Sequence, residues 1–480
     1  MANLRKIVKN KLFKNSSIFV FGKIAGLISA IFLLPLFTKK LPQQEFGIIG
    51  MLWLMQPILS RVMNMGADVA VSLKFFKVSK EEFSSKIYHT FIIIIFMFII
   101  LLLSYGIYFK MGISIIDKSL SFSILAIFLT TILMQNIVTI FLSTLVFCDK
   151  PKSNVVVSIL EPLITTIITY YLVMNIDTTY RSYIIAMFIS SMIFGVIGMV
   201  WLLKNFKLKH FRFKFEEIKK QLKVGLPIIP ATLGIMILAA GDRVIIKYFM
   251  GLEAVALYTY GYKFSNYLST SIVEPFQKAL TPITLDKAAK SFDNAALFSE
   301  NLGEIMMKYF PIFVAILIIP SRQVMLFLST ETYNISYYVF LIALPGIVIM
   351  NIMNIYMNIF NHLERTDLGM KMVLIGAFIN IILNILFIPK YGIIAASVTT
   401  TISYFVMFLM SIMLLNKFIK NKIELKIILR VIPFLIYVLV IIIIDISIGN
   451  VYLTITYKFI IFLIFAYFQY RYNGKRNYVF

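Results

Sequence analysis

Asp242 and Arg243 stand side by side in the run ILAAGDRVIIKYFMGLEAVALY, residues 237–258, which is otherwise apolar enough for a membrane interior. A bare carboxylate or guanidinium at that depth is costly unless it is paired, hydrated or in use. Lys23, Arg61, Glu161 and Lys263 raise the same question, since each interrupts an apolar stretch. Intramembrane cations suit an anionic cargo; the competing reading is a structural ion pair or a helix cap. Arg61 is expected ~20 Å from the outer end of its span, too deep to snorkel easily, with no obvious partner on its own helix. Lys23, about two turns inside the inner face, is within snorkelling range, and Lys263, in YGYKFSN, has tyrosines and Asn266 as alternative partners. Glu161 precedes Pro162, where a bend is expected. It serves either as counter-charge to Arg61 or Lys23 or as a partner for backbone freed at that bend. Asn380 and Asn384 are four residues apart and share one helix face, with Thr400 on the following span.

Helices must position these groups. The 480 residues are 60% hydrophobic and only 14% charged, the composition of a polytopic membrane protein. In hydrocarbon a backbone satisfies its own polar groups, so the expected fold class is all-α, with about 14 transmembrane helices. The apolar stretches are 17–38, 46–72, 91–109, 119–147, 153–174, 183–203, 226–249, 254–280, 305–329, 337–361, 368–389, 393–416, 428–447 and 452–470. The first is read as an uncleaved span, because no small-residue cleavage pattern follows its basic N-terminal flank.

The net charge of +24 is distributed by side rather than along a nucleic-acid-binding face, so nucleic acid is not an expected partner. With the N-terminus inside, 33 of the 46 Lys and Arg fall on the inner side, nine on the outer and four within spans. Both termini are therefore expected in the cytoplasm. The connection KNFKLKHFRFKFEEIKKQLKVG interleaves Phe with Lys and Arg and suits an amphipathic segment lying on anionic lipid, or equally a solvated linker. It separates six spans from the next six. The expected organisation is an N-lobe at 1–203, the linker at 204–224, a C-lobe at 225–416, and two further helices with a tail at 417–480.

Two stretches carry a resemblance. GLPIIPATLGIMILAAGDRVIIKYFMGLEAVALYTYGYKFSN, from Gly225, resembles the seventh and eighth helices of polysaccharide flippases, and GAFINIILNILFIPKYGIIAASVTTTISYF, from Gly376, resembles their eleventh and twelfth. These are Wzx-type members of the multidrug/oligosaccharidyl-lipid/polysaccharide (MOP) exporter superfamily, which also holds lipid II flippases and MATE drug exporters. The resemblance covers about residues 10–416. It implies two pseudo-symmetric six-helix lobes in a V, and transfer of undecaprenyl-pyrophosphate-linked oligosaccharide repeat units across a bacterial plasma membrane by alternating access. It also implies a polysaccharide polymerase and glycosyltransferases as neighbours in the process. On that footing Lys23, Arg61, Arg243 and Lys263 are expected to face the pyrophosphate and sugars, Arg243 toward the cavity or the outer headgroups.

The resemblance also implies a coupling-cation site where Asp242, Asn380, Asn384 and Thr400 fall. A carboxylate, two amide oxygens and a hydroxyl form a hard-oxygen set suited to Na⁺, with H⁺ carried on Asp242 as the alternative. Some relatives have a carboxylate in the eleventh helix where this chain has amides. Plain interhelical hydrogen bonding is the competing role for these groups.

The alternative function is a MATE-type cation-coupled drug or organic-cation antiporter. An enzyme is not expected: no paired carboxylates, phosphate-cradling glycine loop or nucleophile triad is evident. No cofactor is implied beyond the coupling ion. A single cysteine, Cys148, and three histidines without metal-ligand spacing (His89, His210, His362) give no other metal site. Glu274 and Lys278, four apart, are read as an interfacial salt bridge. Reporters fused at either terminus or inserted in 207–220 should all read cytoplasmic; an external C-terminal reporter would mean an odd number of spans.

Overall fold

The computed structural model describes residues 31–68, 79–111, 119–148, 150–206, 212–268, 292–362, 365–418, 431–448 and 451–472, with isolated positions at 26, 29, 116 and 117. Lys23, His210, Glu274, Lys278 and the His362 side chain lie outside the described residues. Every described regular element is helical. Eight described helices are long and apolar enough to cross a membrane, or nine if one bent pair counts as a span. Their exposed faces are apolar: Ile95, Phe96, Ile99, Ile100, Leu103 and Ile107 recur at helical spacing along one of them. An apolar stripe turned outward is the arrangement that lipid, rather than water, stabilises.

The chain divides into two compact units, residues 1–236 and 237–480, at a point inside the expected seventh span. In the first unit α1 (Gln43–Asn64), α2 (Lys80–Lys110), α3 (Phe122–Phe147), α4 (Pro151–Asn175) and α5 (Tyr180–Phe206) are followed by the short α6 (Phe215–Gly225). The expected second span, 46–72, is corrected: α1 ends at Asn64, where Met65 takes a left-handed conformation and its N–H bonds to the Arg61 carbonyl. Asn64 holds that end, accepting from the Gly66 N–H at 2.9 Å. An aromatic cluster of Phe37, Phe46, Trp53 and Tyr183 fills one end of the unit, with the Trp53 indole donating to Tyr183 at 2.8 Å.

Part of the expected amphipathic linker is α6, docked on α2. Gln221 donates to the Lys86 carbonyl at 2.9 Å and accepts from Thr90 at 3.2 Å. His89 bonds through Nδ1 to the Ser85 carbonyl and accepts the Lys214 N–H on Nε2 at 3.0 Å, a pattern that needs the neutral ring. The outer face carries Phe213, Phe215, Lys219, Lys220 and Lys223. There the Lys220 ammonium, 2.7 Å from Glu217, holds that carboxyl below its ordinary range.

The second unit holds α7 (Ile229–Ala240, which begins before the boundary), α8 (Asp242–Leu268), α9 (Phe292–Ile318), α10 (Ser321–Phe327), α11 (Asn334–His362), α12 (Thr366–Leu415), α13 (Ile432–Ile448) and α14 (Val451–Tyr472). Two expected spans are redrawn, and two others join as one helix broken between them. The seventh, 226–249, is interrupted at Gly241. The ninth, 305–329, is α9, which stops at Ile318 before Pro320, with the Ser321 hydroxyl taking the Ile318 carbonyl. The eleventh and twelfth form the 50-residue α12, broken at Gly392. A straight helix of that length would measure ~75 Å, far more than a bilayer's hydrocarbon.

The last two helices are fastened to this unit by a buried charge cluster. Asp445 on α13 pairs with Lys458 of α14 at 2.9 Å and Arg322 of α10 at 3.5 Å, and accepts from Tyr337 of α11 at 2.7 Å. Lys458 also donates to Tyr337 at 2.9 Å. The charge count on the sequence includes Arg322 and Lys458 among the nine on the outer side; the structure buries both around one carboxylate. Asp445→Ala leaves those cations uncompensated and should cost about 3–5 kcal/mol, read as a lower thermal midpoint in detergent. Asp445→Asn combined with Lys458→Met should recover much of that loss.

Candidate functional site

Two chain reversals build the site in the second unit. Gly251 (φ 85°, ψ 179°) and Gly392 (φ 66°, ψ −151°) hold backbone conformations that essentially only glycine adopts. Each turns its helix back on itself. Arg243 and Thr259 are sixteen residues apart, ~24 Å along a straight helix, yet Arg243 Nε donates to Thr259 at 3.1 Å. Asn380 and Thr400 meet across the Gly392 reversal at 3.2 Å. The Met250 side chain packs on Gly392, so the two turns are neighbours. Asp242 and Asn384 lie nine and eight residues before their glycines, which sets both about 12–14 Å below adjacent turns. Groups on separate hairpins thus reach one depth.

Asp242, fully buried, opens α8 after the interruption at Gly241. A carboxylate is favourable at a helix N-terminus, and one of its oxygens accepts the Arg243 N–H at 2.9 Å. The other accepts the hydroxyl of Tyr258, from the returning leg of the hairpin. Asn380 donates to Thr400 at 3.2 Å, Asn384 donates to Asn380 at 3.0 Å, and Thr399 donates to Asn384. The structure therefore gathers Asn380, Asn384 and Thr400 into one hydrogen-bonded cluster on α12, with Asp242 held on α8. Tyr258 and Thr399 join them; neither was singled out from the sequence. The signal available for Tyr258 was its near-equal distance from Gly251 on the far side of a turn.

Arg243, expected toward the cavity or the outer headgroups, is only 5% exposed. Its guanidinium lies 5.9 and 5.6 Å from the Tyr258 and Tyr262 ring centres, on stacked rings 5.5 Å apart. Lys263 is half-buried one turn beyond Thr259, near enough to Arg243 to feel its charge. Among the described residues no three His, Cys, Asp or Glu side chains are grouped to hold a metal, so a cation here would draw on amide and hydroxyl oxygens.

In the first unit Arg61 sits in the last turn of α1 and pairs with Asp68 at 2.8 Å, both partly exposed. That corrects the expected mid-span position; the partner, as expected, is not on the same helix, because α1 ends at Asn64 and the following residues come back toward Arg61. Beside it runs a polar seam, also missed. Gln56, Ser60 and Asn64, spaced by four on α1, face α3, where Gln135 accepts from Gln56 at 2.7 Å and Asn136 from Ser60 and Asn64 at 3.1 Å. Glu161 is half-buried in α4, which runs through Pro162 as one helix, and its carbonyl accepts the Ser190 hydroxyl at 2.9 Å.

The family described as polysaccharide biosynthesis protein matches residues 12–288. An uncharacterized membrane protein of Methanocaldococcus jannaschii is 27% identical over 282 residues, 56% of this chain and 54% of that protein. The match thus spans about half the length of that curated relative. Among solved structures, the lipid II flippase MurJ in an inward closed conformation aligns with a TM-score of 0.71 at 17% identity, over 96% of this chain and 99% of that one. An inward-facing multidrug resistance MATE family transporter of the MOP superfamily gives 0.63 at 12% identity, over 83% and 98%. A MOP superfamily transporter from Pyrococcus furiosus gives 0.61 at 12% identity, over 84% and 95%. At these identities the likeness is one of fold.

Replacing Gly392 with alanine forces a side chain onto a positive φ and against Met250. It should cost about 1–3 kcal/mol and lower the thermal midpoint in detergent, whereas Ala395→Gly on the same leg should cost less.

Proposed function

This chain belongs to the polysaccharide biosynthesis protein family, and we propose that it is a flippase moving undecaprenyl-pyrophosphate-linked oligosaccharide from the cytoplasmic to the outer leaflet of the plasma membrane. The family match over residues 12–288 carries the proposal, because a drug exporter would not account for it. The cargo sets the physical problem. Pyrophosphate and sugars do not cross hydrocarbon unaided, whereas the polyprenyl tail stays in it. Cations within the membrane stabilise the phosphates, and each unit has its own: Arg61 in the first, Arg243 and Lys263 in the second. Lys23 completes the proposed cargo set. The docked α6 presents its Phe and Lys side chains to anionic lipid, both termini are cytoplasmic, and glycosyltransferases and a polymerase act before and after transfer.

Asp242, Asn380, Asn384 and Thr400 form the coupling-cation site in this reading, with Na⁺ as the ion and H⁺ on Asp242 as the variant. Cation binding drives the cycle to the extent that affinity differs between inward- and outward-open states. The MATE-like fold favours a second reading, a cation-coupled drug antiporter, which the same experiment separates.

In cells lacking their own copy, wild type should restore surface polysaccharide. Arg61→Ala should lower it at least about tenfold at matched membrane levels, the scale of one lost charge-assisted contact. Asp68→Asn, which frees Arg61, should keep most activity. Equal loss in both variants would reduce Arg61 to a structural ion pair. Resistance to organic cations without any effect on polysaccharide would favour the antiporter.

A further inference from the structure

The hydrogen bonds across the Gly392 reversal run head to tail. Thr399 donates to Asn384, Asn384 to Asn380, and Asn380 to Thr400. On the neighbouring hairpin Tyr258 donates to Asp242, which as an ionised group only accepts. That bond ends where a cation would have to bind. Both Asp242 oxygens are engaged, one by the Arg243 N–H of its own helix start and the other by Tyr258. The first link is local backbone and stays with the helix. The second crosses from one leg of the Gly251 hairpin to the other and is the one a ligand can displace.

The Tyr258 ring is well held. It is fully buried, stacked on Tyr262 at 5.5 Å, and covered by the Arg243 guanidinium; Tyr262 in turn meets the Tyr404 hydroxyl at 3.3 Å. The positive charge over the ring draws electron density from the phenol and makes its hydroxyl a stronger donor. Other charged groups around it are Asp242 and Arg243 themselves, with Lys263 further along the same leg. Tyr258 is therefore a rigid ring with a mobile proton.

We propose that the Tyr258 hydroxyl is a built-in competitor for the coupling cation: it holds the Asp242 oxygen that the cation must take, so binding the cation and releasing Tyr258 are one event. This rests on the reading of Asp242 as part of a cation site. A cation that takes this oxygen displaces the hydroxyl hydrogen from it, and Tyr258 loses its acceptor. Occupancy at Asp242 thereby changes the hydrogen bond that joins the two legs of the Gly251 hairpin, and this is the difference in contacts that coupling requires. Tyr258 is a positioning residue: it acts through Asp242 and need not touch cargo.

The test uses purified full-length protein in detergent, with thermal unfolding followed against Na⁺ and ionic strength held constant by K⁺. A hydrogen bond to a charged acceptor is worth about tenfold or more in an equilibrium. Tyr258→Phe should therefore reach half-maximal stabilisation at roughly tenfold lower Na⁺ than wild type, while transporting less, and Asp242→Asn should show no Na⁺-specific response. A Tyr258→Phe midpoint equal to or above wild type, with Asp242→Asn insensitive, would overturn the competitor role and leave the cation site standing. Identical Na⁺ responses in wild type and Asp242→Asn, including none in either, would overturn the cation reading and this inference together. Should Tyr258→Phe fold poorly, infrared difference spectra of wild type with ring-labelled tyrosine replace it. Adding Na⁺ in place of K⁺ should shift a tyrosine C–O band together with a carboxylate band; a carboxylate shift with no tyrosine change would refute the inference.

Discussion

A carboxylate carried to full burial in a membrane protein has to find its hydrogen bonds and compensating charge within a few ångströms, and Asp242 finds both on its own hairpin. The Arg243 N–H supplies one bond and Tyr258 the other, while the Arg243 side chain is spread over two tyrosine rings instead of closing a salt bridge. Neutralisation is thus near but not in contact. Compensation at one remove leaves the carboxylate held by hydrogen bonds alone.

That arrangement depends on where the chain turns. A single glycine reverses each hairpin, so the reversal takes one residue and the two legs stay close enough for side chains to meet across them. The contact between Met250 and Gly392 then sets the hairpins side by side. Polar groups eight or nine residues from their turns arrive at one depth because helical rise is fixed. The cluster is a consequence of matched leg lengths and adjacent turns.

The Asp445 cluster answers the same burial problem differently. Its carboxylate contacts two cations directly as well as a tyrosine, on four helices, and it ties α13 and α14 to the helices before them. Closed ion pairs of this kind hold elements in register, whereas Asp242 is held by hydrogen bonds only. In the first unit the seam of Gln56, Ser60 and Asn64 against Gln135 and Asn136 joins helices without any charge.

The sequence alone was enough for the class of molecule, because apolar length and composition report directly on the solvent a segment must face. It also singled out Asp242, Asn380, Asn384 and Thr400, all buried in the structure, since a charge in an apolar run is costly wherever that run folds. The family resemblance, carried by the segments from Gly225 and Gly376, agrees with the family match. Positions along the chain were less legible. Arg61 read as a mid-span cation because hydropathy continues past Asn64; a left-handed Met65 ends the helix there, and Asp68 beyond it pairs with Arg61. Arg322 and Lys458 read as outer-side charges because the positive-inside count sees only spacing, not the buried Asp445 they surround. Tyr258 was invisible for the same reason. A tyrosine among many has no signature until a glycine turn brings it back to a carboxylate sixteen residues away. Hydropathy is a one-dimensional quantity and burial cost is local, so both survive in the sequence. Hydrogen bonds between hairpin legs need two backbone reversals and their packing, and only the tertiary structure supplies those.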